Sequence, residues 1–198
     1  MLSSKRQSLL VLLVLLFVFL LGLFIGHLTF SPISRFVQKQ RLEKQAQQFK
    51  AERINTFLNK PVPSIASTTS NGESWHLSNQ QGNIVVLHFW SSSCPACHEQ
   101  ISAVKDLYND HSAEEEFSMV GVCLDFNQDL INCLNEAYNL SWIQLFDLHK
   151  GAEGSLAAEF QIRSIPSIWI IDQEGIVRGM DLTVSEARTV LTNIMSQI

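Results

Sequence analysis

The run Ile84–Trp90, IVVLHFW, reaches Cys94-Pro95-Ala96-Cys97 after only three serines, and this junction restricts the fold more than any other stretch. A run that is apolar except for His88 suits a strand covered on both faces, the usual condition of parallel strands in α/β proteins. Pro95 fits the first turn of a helix, where a missing N–H costs nothing. Ile101, Val104 and Leu107 then recur on one helical face. A strand feeding straight into a helix puts Cys94 at the helix start, where unpaired N–H groups and the helix dipole favour an anion. Its thiol is therefore expected to titrate below the free value and to supply a thiolate near neutral pH. Cys97 follows by nearly one turn, in reach of Cys94 but shielded. The expected chemistry is attack by Cys94 on a disulfide and resolution by Cys97, with Pro95 fixing the turn between them.

Strands and helices alternate through the rest of residues 61–198. Ile65–Thr68 and Ser74–Leu77, joined through Asn71-Gly72, read as a hairpin. Phe117–Leu124 is a second buried strand. Asn127–Tyr138 reads as a helix presenting Leu130, Cys133, Leu134 and Ala137 on one face. Trp142–Phe146 is extended, and Ser155–Phe160 forms a short helix. Ser167–Asp172 and Ile176–Met180 pair across Gln173-Glu174-Gly175, and a last helix starts at Thr183 with Glu186 completing a capping box. This order predicts an α/β architecture with a mixed sheet flanked by helices.

The N-terminal third differs in kind. Leu9–Ile25 is seventeen residues without a charged or strongly polar group, long enough as a helix to span roughly 26 Å. We read residues 1–8 as a cytoplasmic tail and 9–26 as a transmembrane anchor. A cleaved signal is the other reading, although no small-x-small cleavage site follows the run. Lys5 and Arg6 precede the run, but Arg35, Lys39, Arg41 and Lys44 follow it, so basic residues do not decide orientation. Residues 27–60 are a polar helical spacer without a sustained heptad, ended by Pro61 and Pro63. A net charge of −5 gives no reason to expect a nucleic-acid partner.

The stretch VVLHFWSSSCPAC resembles the active-site strand and helix of the thioredoxin superfamily, and RSIPSIWIIDQEGIVRG is similar to that family's proline loop and hairpin. The resemblance implies a cis bond at Ile165-Pro166, facing the cysteines and letting Ile165's backbone pair with an extended substrate. The strand and helix over Phe117–Tyr138 resemble the insertion of the TlpA/ResA-like branch, membrane-anchored bacterial reductases with an AhpC/TSA-redoxin-like domain. That likeness covers roughly residues 61–195. It implies a protein-disulfide oxidoreductase facing the periplasm or its equivalent, working on protein disulfides or thiols, with cytochrome c maturation as one setting. A membrane thiol carrier would supply electrons; no cofactor is expected. An oxidase or isomerase is the alternative direction. Three positions depart from the pattern: Ser93 stands where many members have Trp, His88 where Asp or Asn is common, and Gln100 where the reductases often carry an acid.

Three rival chemistries compete for the same residues. Cys94–His98 also spells the c-type haem attachment motif, Cys-x-x-Cys-His. A peroxiredoxin needs a proline and a threonine where this chain has Leu87 and Ser91. Structural zinc would need two further ligands, and Cys123 and Cys133 lack ligand spacing. Among supporting residues, His88 reads either as a buried neutral histidine or as a proton acceptor for Cys97. His98, expected to be exposed, is a candidate for tuning the thiolate. Trp90 is a candidate for lining the site, Trp169 for core packing. Cys123 and Cys133 read as small core residues, with a second disulfide between them the alternative in an oxidising compartment.

Overall fold

The computed structural model describes residues 2–69, 71–125, 138–147 and 155–197, apart from the side chains of 2–9 and 27–33. A helix, α1, runs over Leu2–Phe57. The chain divides into two compact units, residues 1–52 and 53–198. Within the first, the apolar side chains of Leu10–Ile25 are exposed. Among the described residues, no helix is long and apolar enough to cross a membrane.

The second unit is built on a five-stranded sheet. Its strands are β3 (Ile84–Trp90), β4 (Phe117–Cys123), β5 (Ile143–Phe146), β6 (Ser167–Ile171) and β7 (Val177–Leu182), in the order β5-β4-β3-β6-β7, with β1 (Ala66–Thr68) and β2 (Ser74–His76) forming a separate hairpin. β3 pairs in parallel with β4 and antiparallel with β6, so the sheet is mixed as expected. All seven residues of β3 are buried. Its period of two sends Val85, Leu87 and Phe89 to one core and Ile84 and Val86 to the other. Burying each such side chain contributes about 1.5–3 kcal/mol, so the central strand is held from both faces.

The helices begin and end where local chemistry dictates. α2 (Pro95–His111) carries Pro95 in its first turn and buries Cys97, Ile101, Val104 and Leu107. A four-residue helix, α3 (Leu156–Glu159), starts from the Ser155 hydroxyl. α4 (Val184–Met195) starts at Thr183, and both halves of its capping box with Glu186 are formed. Between β6 and β7, the Asp172 carboxylate accepts the Glu174 and Ile176 N–H groups, and Gly175 takes the positive φ of 79° that closes the turn.

The second unit starts at Arg53. Arg53 and Phe57, read as spacer, are 5% and 4% exposed, and Phe57 packs edge-on against Trp169 at 5.2 Å. The helix expected over Asn127–Tyr138, with Cys133, lies outside the described residues except for Tyr138.

Candidate active site

The two sulfurs sit where the sheet hands the chain to α2. Cys94 is the residue that caps α2, with extended backbone at φ −95° and ψ 105°. It forms a disulfide with Cys97, the Cα atoms 5.3 Å apart. The Cys97 N–H points at Cys94 Sγ from 3.2 Å, so a helix-start donor already faces the sulfur that would carry charge. The two cysteines differ in access: Cys94 is partly exposed, while Cys97 is 1% exposed, in a cluster with Trp90, Cys123 and Phe146.

The Ile165-Pro166 bond is cis, and the Ile165 carbonyl oxygen lies 3.8 Å from Cys94 Sγ. The disulfide has no S–H to donate, so this is a contact across the site; a reduced thiol there would have an acceptor facing it. Ile165 also packs against the cluster that holds Cys97. Two motifs 71 residues apart in sequence thus meet at one sulfur.

The supporting residues separate. Trp90 is 1% exposed and donates its indole N–H to Gln144 Oε1 at 3.0 Å, so it packs the site from inside and offers no face to substrate. That bond needs Gly121: a Cβ there would collide with the Gln144 amide. His88 shares β3 with Trp90, two residues earlier, 1% exposed, and its Nε2 has no hydrogen-bond partner. Burial pushes its imidazole down to about 4, which makes it a weak proton acceptor near pH 7.

His98 corrects the expectation of exposure: it is half-buried and engaged at both ring nitrogens. Nε2 lies 2.7 Å from the Ser92 carbonyl, which can only accept, so the proton is on Nε2. Nδ1 then accepts from the Tyr138 hydroxyl at 2.7 Å. A haem-ligating histidine needs a free ring nitrogen, so this geometry speaks against the Cys-x-x-Cys-His reading. The peroxidase positions fare no better. Leu87 is sealed in the core, and the Ser91 hydroxyl is bonded to Asp125 at 2.8 Å.

Sequence reading missed Asp125, Gln144 and Tyr138. Each reaches the site through a contact distant in sequence, and no local motif marks it. Asp125 is 9% exposed and takes the Ser91 hydroxyl and the Ser92 N–H, with the Cys123 thiol 3.3 Å away. Burial works to raise its carboxyl, but the hydrogen bonds from Ser92, Ser91 and Cys123 win and hold it below the usual carboxylate range. Burial pushes the Cys123 thiol up, so that sulfur stays protonated and inert.

Known proteins resemble this chain in sequence and in fold. The thioredoxin-like protein YneN of Bacillus subtilis is 23% identical over 122 residues, 60% of this chain and 68% of its own length. The sporulation thiol-disulfide oxidoreductase A of the same organism is 27% identical over 118 residues, 58% of this chain and 68% of its own. In fold, a thiol-disulfide oxidoreductase from Bacteroides fragilis superposes with a TM-score of 0.61 at 22% identity, over 68% of this chain and 98% of that one. The AhpC/TSA family model matches residues 58–180, which contain both cysteines and the cis proline, and the chain belongs to that family.

Proposed function

We propose that this protein is a thiol–disulfide oxidoreductase working as a reductase of protein disulfides, tethered to the bacterial cell membrane with residues 61–198 on the periplasmic side. The observation that carries the reading is the asymmetric pair: an accessible Cys94 at the start of α2, bonded to a buried Cys97 and faced by the Ile165 carbonyl. Relatives named thiol-disulfide oxidoreductase support the activity.

The steps follow from that asymmetry. In the reduced protein, the Cys94 thiolate attacks one sulfur of a substrate disulfide, and the other sulfur leaves as a thiolate that takes up a proton. Cys97 loses its proton and attacks Cys94 Sγ. This closes the Cys94–Cys97 disulfide and releases the second substrate thiol. The substrate gains two electrons and two protons, and a membrane thiol carrier restores the dithiol by the reverse exchange. Ile165's backbone would pair with the extended chain around the substrate cysteine.

The tether rests on the exposed apolar side chains from Leu10 to Ile25, which water would not tolerate as a free surface. Apocytochrome c cysteines are one substrate class that the TlpA/ResA-like resemblance implies. A Cys97→Ala variant tests the reading directly. It should hold partners on Cys94 as mixed disulfides, and a reporter fused after Ile198 should be active outside the cytoplasm. Failure to trap any thiol protein, with the wild type unable to reduce a model disulfide, removes the activity; a cytoplasmic reporter removes the location.

A further inference from the structure

We infer that Asp125 is a positioning residue for the loop between β3 and α2, and that its buried negative charge keeps Cys94 less acidic than the helix start alone would make it. This deepens the reductase reading and rests on it.

The loop is tied to this one carboxylate. Asp125 Oδ1 accepts the Ser91 hydroxyl at 2.8 Å, and Oδ2 accepts the Ser92 N–H. Ser91 Oγ lies 2.9 Å from Ser93 Oγ and accepts the Ser93 N–H at 3.2 Å. The Ser91 carbonyl in turn accepts the Cys94 N–H at 3.2 Å. All three residues between strand and nucleophile are therefore held by Asp125 directly or through Ser91. From the other side, His98 donates to the Ser92 carbonyl, so Ser92 is gripped at both its amide and its carbonyl.

The same carboxylate reaches a thiol beside the disulfide. Cys123, 3.3 Å from Oδ2, belongs with Cys97 to the buried cluster against which Cys94 packs. Ionisable groups on the surrounding elements are His88 on β3, His98 and Glu99 on α2, Cys123 on β4, Tyr138, Asp147 after β5 and Arg163 before the proline. Asp147 gives its carboxylate to the Ala157 N–H, and Tyr138 bonds His98. Only Asp125 is bonded both to the Cys94 loop and to a thiol of the cluster, among the described residues. A carboxylate shielded from water repels a forming thiolate far better than an exposed one. Less thiolate stabilisation makes the dithiol a stronger reductant, because a stabilised reduced form is what makes a strong oxidant.

Asp125→Asn keeps the shape and an acceptor for Ser92 but removes the charge. In the full-length reduced protein, the Cys94 alkylation midpoint should fall by about one pH unit, and thiolate below the midpoint should rise about tenfold. The Cys94–Cys97 equilibrium with glutathione should move toward the dithiol. A purely structural role would loosen the loop without lowering the midpoint. The wild type offers a second test should the variant not fold: the Asp125 carboxyl carbon, followed by NMR, should show an inflection at the Cys94 midpoint in the reduced protein and none in the oxidised one. An unmoved midpoint in a folded variant, or the absence of that inflection, overturns the inference. A wild type that exchanges no disulfide overturns the reductase reading instead, since the inference concerns only how an active Cys94 is tuned.

Discussion

Arg53, near the end of α1, clasps the Asp181 carboxylate, 128 residues later in sequence, with both terminal nitrogens. One of those nitrogens also donates to the Phe160 carbonyl at 3.3 Å, and the guanidinium lies over the Trp169 ring, 5.8 Å from its centroid. Asp181 in turn accepts the Ser167 hydroxyl at 3.1 Å, beside the cis proline. The residue that opens the second unit is thus bonded to β7 and linked through Asp181 to Ser167, the first residue of the strand that follows the proline loop.

Arg53→Met should therefore cost more than an ordinary surface change. Removing one partner of a fully buried pair costs about 3–5 kcal/mol. The Asp181 side chain is 33% exposed and water can partly replace the lost cation, so about 2 kcal/mol is expected. Thermal unfolding should show a fall of roughly 6 °C. Adding Asp181→Asn should recover part of that loss, because no orphaned charge then remains. A single variant as stable as wild type would mean the pair contributes nothing.

Gly121→Ala tests the packing behind the disulfide. The added methyl would strike the Gln144 amide, which is 2% exposed and accepts the Trp90 indole N–H, so it has little room to retreat. Overpacking costs about 1–3 kcal/mol, and the lost hydrogen bond adds about 1 kcal/mol. The Trp90 indole resonance should move by NMR, and Gln144→Ala in the same chain should relieve the clash. An unshifted indole signal in Gly121→Ala would show that the contact is softer than its geometry implies.

These relationships mark where sequence reading ends. The sheet and its helices were legible because their signals are local: the apolar run of β3, Pro95 at the start of α2, and Thr183 with Glu186 at the start of α4. The meeting of Cys94 with Ile165 came from two motifs whose combination fixes a fold. Arg53 was read as spacer because burial by strands more than a hundred residues away leaves no periodicity around it. Asp125 escaped for the same reason: a lone carboxylate after a strand has no pattern until Ser91, Ser92 and Cys123 converge on it. His98 looked exposed from its helical position, which gives no sign of its bonds to Tyr138 and the Ser92 carbonyl.

His88 supplies a pH-dependent prediction with a defined sign. Burial lowers its folded value to about 4 from the ordinary 6.5, so between these values the unfolded chain binds a proton that the folded chain refuses. Stability is then complete above about pH 6.5 and falls as pH drops toward 4, with a limiting loss of about 3 kcal/mol from a single histidine. Asp125 is depressed as well, but a carboxylate of that kind loses its contribution only below its ordinary 3.8, in a lower window. His88→Leu keeps an apolar side chain in a strand position that is 1% exposed and removes the only group expected to titrate this way on β3. Denaturant unfolding across pH 4–7 should therefore show a sloping stability for wild type and a much flatter one for the variant, with the two closest at pH 7 after allowing for packing. Equal slopes would place the proton uptake elsewhere and mean that His88 charges within the fold at little cost.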